Sequence, residues 1–163
     1  METNISNEKN KTSIPLVKMY TDGGCIPNPG RGAWAVILIY GDKEKILTGY
    51  DENTTNNRME LKAAIEGLKA LKKRCKVVIY TDSEYLKKGM SEWLKSWVEK
   101  GWKTSSGTVK NIDLWNELAE LVEKHEVTWE WIKGHSQHPQ NERCDKLVKD
   151  IIKNKIKLEK DTK

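Results

Sequence analysis

The chain has 163 residues, 33% of them charged and 37% hydrophobic, so it is long enough for one domain with a buried core. Its formal net charge of +5 favours a polyanionic partner. No run of residues approaches the roughly 18 apolar positions of a membrane-spanning helix, and the polar start lacks a secretory pattern, which excludes membrane contact and predicts a cytoplasmic location. Three cysteines without a close pair, Cys25, Cys75 and Cys144, argue against a disulfide framework or a zinc site.

The first part of the chain predicts a tail followed by an antiparallel meander. Residues 1–15 are polar and are predicted to form a disordered tail. Apolar runs at 16–21, 33–40 and 45–50 predict three strands. Gly41 and Asp42 supply the turn between the second strand and the third.

A change of period at Asn57 predicts a helix over 57–73, with Asn56 or Asn57 as its cap and Glu60 in its first turn. Residues 77–81 predict a fourth strand, parallel to its neighbour because the crossover is long. Ser83 is predicted to cap a short helix that Gly89 ends. The remaining predicted elements are helices over 92–99, 111–124 and 141–155 and a strand over 127–132.

This order of elements predicts an α/β fold. We expect a five-stranded mixed sheet, with three antiparallel strands plus two parallel ones, and helices on both faces. A single domain would cover 16–155, and 156–163 would form a second tail. The pattern contains no internal repeat.

Four acidic residues stand where a predicted strand ends or a predicted helix begins: Asp22, Glu60, Asp82 and Asp145. Taken singly, each has an ordinary explanation as a turn residue, a helix cap, a first-turn acid or part of a solvated helix face. If the fold brings them together, their mutual repulsion requires a cation, and hard oxygen ligands favour Mg²⁺ or Mn²⁺. The set therefore predicts a metal site.

Five blocks of sequence occur in a fixed order. They are YTDGGC at 20–25, NPG at 28–30, TTNNRMEL at 54–61, YTDS at 80–83, and 129–145 with its KGH at 133–135 and NERCD at 141–145. Together they resemble bacterial ribonuclease H of type 1. The resemblance covers roughly 16–152 and implies a ribonuclease H-like fold. It also implies a stand-alone, monomeric endoribonuclease that cleaves the RNA strand of RNA/DNA hybrids, leaving 5′-phosphate and 3′-hydroxyl ends, and that removes primers and stray hybrids.

The same resemblance assigns a catalytic role to each acid. Asp22 would be shared by two Mg²⁺ ions, for which Mn²⁺ substitutes. Glu60 and Asp82 would hold the ion at the leaving group, and Asp145 the ion that activates water. His135 would assist proton transfer or product release.

Substrate contacts are a further implication, because telling RNA from DNA requires groups that reach the 2′-hydroxyl. By the resemblance they come from Cys25, Asn28, Thr55, Asn56, Asn57, Glu84 and Asn111, with Thr55 and Asn111 near a DNA phosphate. A basic protrusion over about 87–110 would grip the duplex. Its Trp93 and Trp97 suit stacking on nucleic acid, but their i, i+4 spacing is also typical of packing, which we expect for at least one of them.

Two other classes of protein share some of these features. An integrase, transposase or resolvase on the same fold usually carries an extra DNA-binding domain, for which this chain has no room. A non-catalytic hybrid-binding module would normally have lost one of the acids, and all four are present. The sequence therefore favours the hybrid-specific ribonuclease.

Overall fold

A five-stranded sheet organises the molecule, for which a computed structural model describes residues 14–105, 107–133 and 138–161. The strands are β1 (Leu16–Cys25), β2 (Gly30–Tyr40), β3 (Lys43–Thr54), β4 (Lys76–Thr81), β5 (Lys103–Thr104), β6 (Gly107–Thr108) and β7 (Glu126–Trp131). The helices are α1 (Asn56–Lys69), α2 (Glu84–Lys88), α3 (Leu94–Glu99), α4 (Ile112–Glu123) and α5 (Pro139–Asp161). The main sheet has the order β3-β2-β1-β4-β7, and β5 pairs with β6 in a separate two-stranded sheet.

The pairing within the main sheet is mixed. β1 and β3 both run antiparallel to β2, whereas β4 runs parallel to β1 and β7 parallel to β4. The parallel pairing of β1 with β4 extends as far as Tyr20 and Tyr80. These findings confirm the predicted sheet of three antiparallel strands plus two parallel ones.

Helices cover both faces of the sheet, as predicted. On one face, α1 and α4 pack a core that includes Met19, Leu61, Leu68 and Trp115. On the other face, α5 packs a smaller core of Ala33, Ala35, Ile37, Cys144, Val148 and Ile152. The three cysteines are free and buried, as expected. Within the described ranges, no helix is long and apolar enough to cross a membrane.

The cap of α1 differs from the prediction. Thr55, rather than Asn56 or Asn57, is the N-cap, and its hydroxyl accepts a hydrogen bond from the backbone N–H of Arg58 at 3.2 Å. Three consecutive residues of this segment are good caps, so composition alone did not select one. Because the helix begins one residue earlier than predicted, Glu60 lies in its second turn, and the helix ends at Lys69 instead of continuing to residue 73.

The α-helix α2 ends at Lys88 with Gly89 as its C-cap, as predicted, but the chain stays helical beyond this glycine. The residues from Gly89 to Trp93 form a π-helical turn that joins α2 to α3, and Gly89 has ordinary right-handed dihedral angles. A side chain at this position would collide with the ring of Trp115. Besides capping α2, the glycine therefore permits close packing of the helical segment on Trp115.

The ends of two further elements also differ. β1 continues past Asp22 to Cys25, because it stays paired with β2 after β4 has ended. α5 is longer than predicted at both ends: it begins at Pro139, a residue suited to a first helical turn, and continues to Asp161. Between α3 and α4, where the sequence predicts neither a helix nor a strand, lie the short strands β5 and β6.

Candidate active site

Asp22 and Asp82 lie at the same edge of the sheet. Asp22 lies two positions after Tyr20, the last residue of β1 that pairs with β4. Asp82 comes directly after β4. Gly23 lets α1 approach this edge, since a side chain there would collide with the backbone of Met59 and Glu60. The close approach brings the start of α1, and with it Glu60, next to the two aspartates.

Glu60 is partly buried and accepts a very short hydrogen bond from the hydroxyl of Ser83. The same hydroxyl caps α2 by accepting a hydrogen bond from the backbone N–H of Leu86 at 3.1 Å. Ser83, which directly follows Asp82, therefore holds Glu60 at the start of α2. Sequence reasoning predicted the cap but not the contact with Glu60, because the contact depends on how α1 and β4 pack together.

Asp145 reaches the site from α5, on the opposite face of the sheet. Its carboxylate is exposed and forms an ion pair with Lys149, one helical turn later, at 2.9 Å. Cys144 and Val148, on the inner side of the same helix, are buried against the sheet. The i, i+4 spacing of Asp145 and Lys149 is the sequence signal that could have predicted this pair.

The carboxylates interact electrostatically although they come from four elements. Burial, together with the negative charges of Asp82 and Asp145, raises the pKa of Asp22 to about 8, and Glu60 adds a smaller contribution. Burial also raises the pKa of Glu60 to about 7, with a further contribution from Asp82 and against the opposing effect of the Ser83 hydrogen bond. The fold thus concentrates negative charge at one point, which a cation would neutralise.

The oxygens present suit a hard divalent ion, since all four side chains are carboxylates. In their present positions, no three His, Cys, Asp or Glu side chains of the described ranges are close enough together to hold an ion. Glu60 is bound to Ser83 and Asp145 to Lys149. Each of these contacts uses one carboxylate oxygen, Oε2 of Glu60 and Oδ2 of Asp145.

The predicted substrate-contacting residues near the β1–β2 loop lie next to one another. Asn28 is exposed, and its Oδ1 accepts a hydrogen bond from the backbone N–H of Asn56, the first residue of α1, at 3.2 Å. The Cys25 thiol is buried, and its single hydrogen can be donated to the carbonyl oxygen of Pro27 or of Thr54, which lie 3.1 and 3.4 Å from Sγ. Asn57 is exposed in the first turn of α1. The loop and the helix start thus form one polar surface beside the carboxylates.

Two of the predicted substrate contacts belong to an aromatic cluster. Trp97 packs against the core and contacts Trp115, with ring centroids 5.4 Å apart, so the expectation that at least one tryptophan serves packing is confirmed. Trp93 lies between Trp97 and Tyr85, at 5.5 and 6.1 Å. Glu84, the first residue of α2, is exposed.

Asn111 lies at the N-terminus of α4 and contacts Arg58 and Tyr85. Sequence reasoning did not predict these two partners, because they come from helices distant in the chain. The remaining predicted site residue, His135, lies outside the described residues.

Comparison with known proteins gives consistent matches. Residues 15–153 match the model of the RNase H family. Ribonuclease H of Hahella chejuensis is 56% identical over 136 residues, covering 83% of this chain and 92% of that protein. Ribonuclease HI of Neisseria meningitidis serogroup B is 57% identical over 133 residues, covering 81% of this chain and 92% of that protein.

Solved structures share the fold. LC9-RNase H1, described as a type 1 RNase H with the type 2 active-site motif, has a TM-score of 0.79 at 33% identity, over 86% of this chain and 74% of that one. LC11-RNase H1, solved in complex with an RNA/DNA hybrid, has a TM-score of 0.63 at 20% identity, over 86% of this chain and 99% of that one.

The fold and these matches define a class of protein, nucleases of α/β architecture whose family is metal-dependent in general. Within that class, the chain belongs to the ribonuclease H family. It is accordingly an endoribonuclease that acts on the RNA strand of RNA/DNA hybrids.

Proposed function

We propose that Asp22, Glu60, Asp82 and Asp145 bind two Mg²⁺ ions, with Mn²⁺ as a substitute. Asp22 would be shared by both ions, Glu60 and Asp82 would hold the one at the leaving group, and Asp145 the other. When bound, such a pair supplies an activated water, neutralises the leaving oxygen and stabilises charge on the phosphoryl group, which yields 5′-phosphate and 3′-hydroxyl ends. His135 would assist proton transfer or product release.

The electrostatic coupling of the carboxylates is the observation that carries this proposal. Burial beside Asp82 and Asp145 makes the negative charge of Asp22 unfavourable without a cation. Glu60 and Asp145 each rest on a neighbouring partner, Ser83 and Lys149. A divalent ion at the site would compete with both partners for these carboxylates and would reduce the electrostatic repulsion between them.

The substrate would lie across the surface that surrounds the carboxylates. The polar groups of the β1–β2 loop and of the start of α1 both donate and accept hydrogen bonds, as recognition of a 2′-hydroxyl requires. The contacts we propose come from Cys25, Asn28, Asn56, Asn57 and Glu84 beside the site, from Thr55 and Asn111 at a DNA phosphate, and from Trp93 and Trp97 in the protrusion. The lysines of 87–110 would bind the duplex backbone.

The remaining parts of the proposal concern the whole protein. We propose that it works as a monomer in the cytoplasm, and that its catalytic domain covers 16–155. Removal of RNA primers and stray hybrids from DNA would be its cellular task.

A cleavage assay tests the proposal. The protein is incubated with Mg²⁺ and labelled RNA/DNA hybrid, double-stranded DNA or double-stranded RNA, and wild type is compared with Asp82→Asn. We expect cleavage of the hybrid alone and a loss of more than about a thousandfold in the variant, because a ligand carboxylate is lost. The matched control is Asp42→Asn, which makes the same change in an exposed turn.

Hybrid cleavage that persists in Asp82→Asn would contradict the assigned role of this carboxylate. Equal cleavage of double-stranded DNA would contradict the substrate assignment. An Asp42→Asn variant as inactive as Asp82→Asn would show that loss of any surface carboxylate has this effect, and so would remove the support for a localised site.

A further inference from the structure

The side chain of Asn111 is held at both ends of its amide. Asn111 precedes α4 in a left-handed conformation, with φ 61° and ψ 29°. Its Oδ1 accepts a hydrogen bond from Nη1 of Arg58 at 3.2 Å, and its Nδ2 donates to the hydroxyl of Tyr85 at 3.0 Å. A donor on one side and an acceptor on the other fix which way the amide points.

Both partners are themselves anchored. Arg58 forms a two-pronged ion pair with Asp113, at 3.1 and 2.8 Å, and its backbone N–H donates to the capping hydroxyl of Thr55. This guanidinium therefore joins the N-terminus of α1 to that of α4. The hydroxyl of Tyr85 also accepts a hydrogen bond from Nε1 of the fully buried Trp115 at 2.8 Å, so both of its lone pairs are used.

This arrangement leaves one hydrogen of the amide for a ligand. The Asn111 Nδ2 carries two hydrogens, of which the Tyr85 hydroxyl takes one. Asparagine tolerates a left-handed backbone better than most residues other than glycine, which suits it to this position. Anchoring by Arg58 and Tyr85 holds the amide in one orientation before substrate arrives.

We propose that Tyr85 and Arg58 are positioning residues for substrate binding, which orient the Asn111 amide so that its second hydrogen bonds a backbone phosphate of the hybrid. This inference rests on the proposed function and deepens it. Tyr85 also contacts Trp93 of the protrusion, so the same residue links the protrusion to the start of α4. Neither positioning residue touches the reacting atoms.

The test is Tyr85→Phe, which keeps the ring and removes only the hydroxyl. We expect KM for the hybrid to rise by about fivefold to tenfold, less than the loss of one whole hydrogen bond to a charged group because the amide is misoriented and not removed, while the loss in kcat stays below about twofold. A purely structural defect would instead lower the active fraction and hence the apparent kcat. Tyr40→Phe, an exposed tyrosine at the end of β2, is the matched control and should change neither constant.

A double-mutant comparison shows whether Tyr85 acts through Asn111. If it does, Tyr85→Phe combined with Asn111→Ala binds hybrid no more weakly than Asn111→Ala alone. Losses that simply add would overturn the proposal. Should Tyr85→Phe fail to fold, Arg58→Lys replaces it, because lysine keeps the charge but cannot reach Asp113 and Asn111 together, and the same non-additivity is expected.

Direct binding separates this inference from the proposed function. Fluorescence anisotropy of a labelled hybrid, measured on an Asp82→Asn background, needs no turnover. Hybrids with one uncharged methylphosphonate, placed in the DNA strand or the RNA strand, show which strand supplies the phosphate. When the methylphosphonate replaces the phosphate that Asn111 binds, Tyr85→Phe should cause no further loss of binding affinity. The proposed function fails if the Asp42→Asn control neither binds nor cleaves the hybrid. Only the positioning role fails if this control does both and if Tyr85→Phe does not weaken binding of the hybrid, whatever the position of the methylphosphonate.

Discussion

Burial shifts the pKa of acids and bases in opposite directions in this molecule, since it favours the neutral form of each. At the carboxyl edge of the sheet it raises the pKa of Asp22 and of Glu60. At the opposite edge it lowers the pKa of His125, with further contributions from Arg74 and Lys124. Neutral His125 accepts a hydrogen bond at Nδ1 from the backbone N–H of Cys75, at 3.1 Å.

This buried histidine predicts a loss of stability in mild acid. Its pKa is lower in the folded state than the value of about 6.5 expected in the unfolded chain. The hydrogen bond to Cys75 therefore contributes fully above pH ~6.5, and its contribution is lost as the pH falls through the folded-state pKa. We expect His125→Asn to lower the free energy of unfolding at pH 8 by about 1–3 kcal/mol and to flatten its decrease between pH 7 and 5, as measured by urea denaturation.

The control for this prediction is His138→Asn, the same change at an exposed position, which should change the free energy of unfolding at pH 8 by less than about 0.5 kcal/mol. Parallel curves for wild type and His125→Asn across this pH range would show that another group causes the acid sensitivity.

Some site residues could be predicted from the sequence and others could not. Asp22 and Asp82 stand beside apolar runs, so their position at the sheet edge follows from local pattern alone. The contacts of Glu60 with Ser83 and of Asn111 with Tyr85 join segments far apart in the chain. Local spacing contains no information about such pairs, because they depend on how helices pack against each other.

At the scale of elements, the segment from α2 through α3 shows how packing overrides local preference. Glycine is a poor helix former, and its presence predicted a helix end at Gly89. The ring of Trp115 occupies the space where a side chain would extend, so the continuous helical segment requires a glycine at this point. In the same segment, Trp97 packs against the core.

Gly89→Ala should therefore destabilise the protein although alanine is the better helix former. The added methyl group would displace Trp115, and overpacking of this kind costs about 1–3 kcal/mol. Thermal denaturation followed by tryptophan fluorescence measures the effect. Ser91→Ala, at an exposed position of the same turn, is the control and should change stability by less than about 0.5 kcal/mol. A Gly89→Ala protein as stable as wild type would contradict the packing explanation.

The type of each main element was predictable, because apolar periodicity changes clearly between strands and helices. Their ends were less so. β1 extends to Cys25 because β2 continues to supply hydrogen bonds beyond the end of β4, and a single segment does not reveal how long its neighbour is. The long α5 continues through a charged stretch that resembled a tail.

At the scale of the molecule, the sheet order explains why distant acids meet. β1 lies between its antiparallel partner β2 and its parallel partner β4, so Asp22 and Asp82 leave neighbouring strands at one edge. Helices from both faces then bring Glu60 and Asp145 to that edge. The long crossover predicted the parallel pairing. Which helix brings an acid from each face of the sheet could be seen only in the packed structure.

The central claim is that these carboxylates form one electrostatically coupled site that binds divalent cations, and the titration of Asp22 tests it most directly. Carbon-13 NMR of its side-chain carboxyl, with and without Mg²⁺, measures that titration. Without metal we expect a pKa of about 8, and in Asp82→Asn a lower value because one neighbouring charge is gone. Saturating Mg²⁺ should displace the proton and move the midpoint well into the acidic range. A midpoint near the ordinary value of about 4, unchanged by Mg²⁺ and by the substitution, would contradict the account.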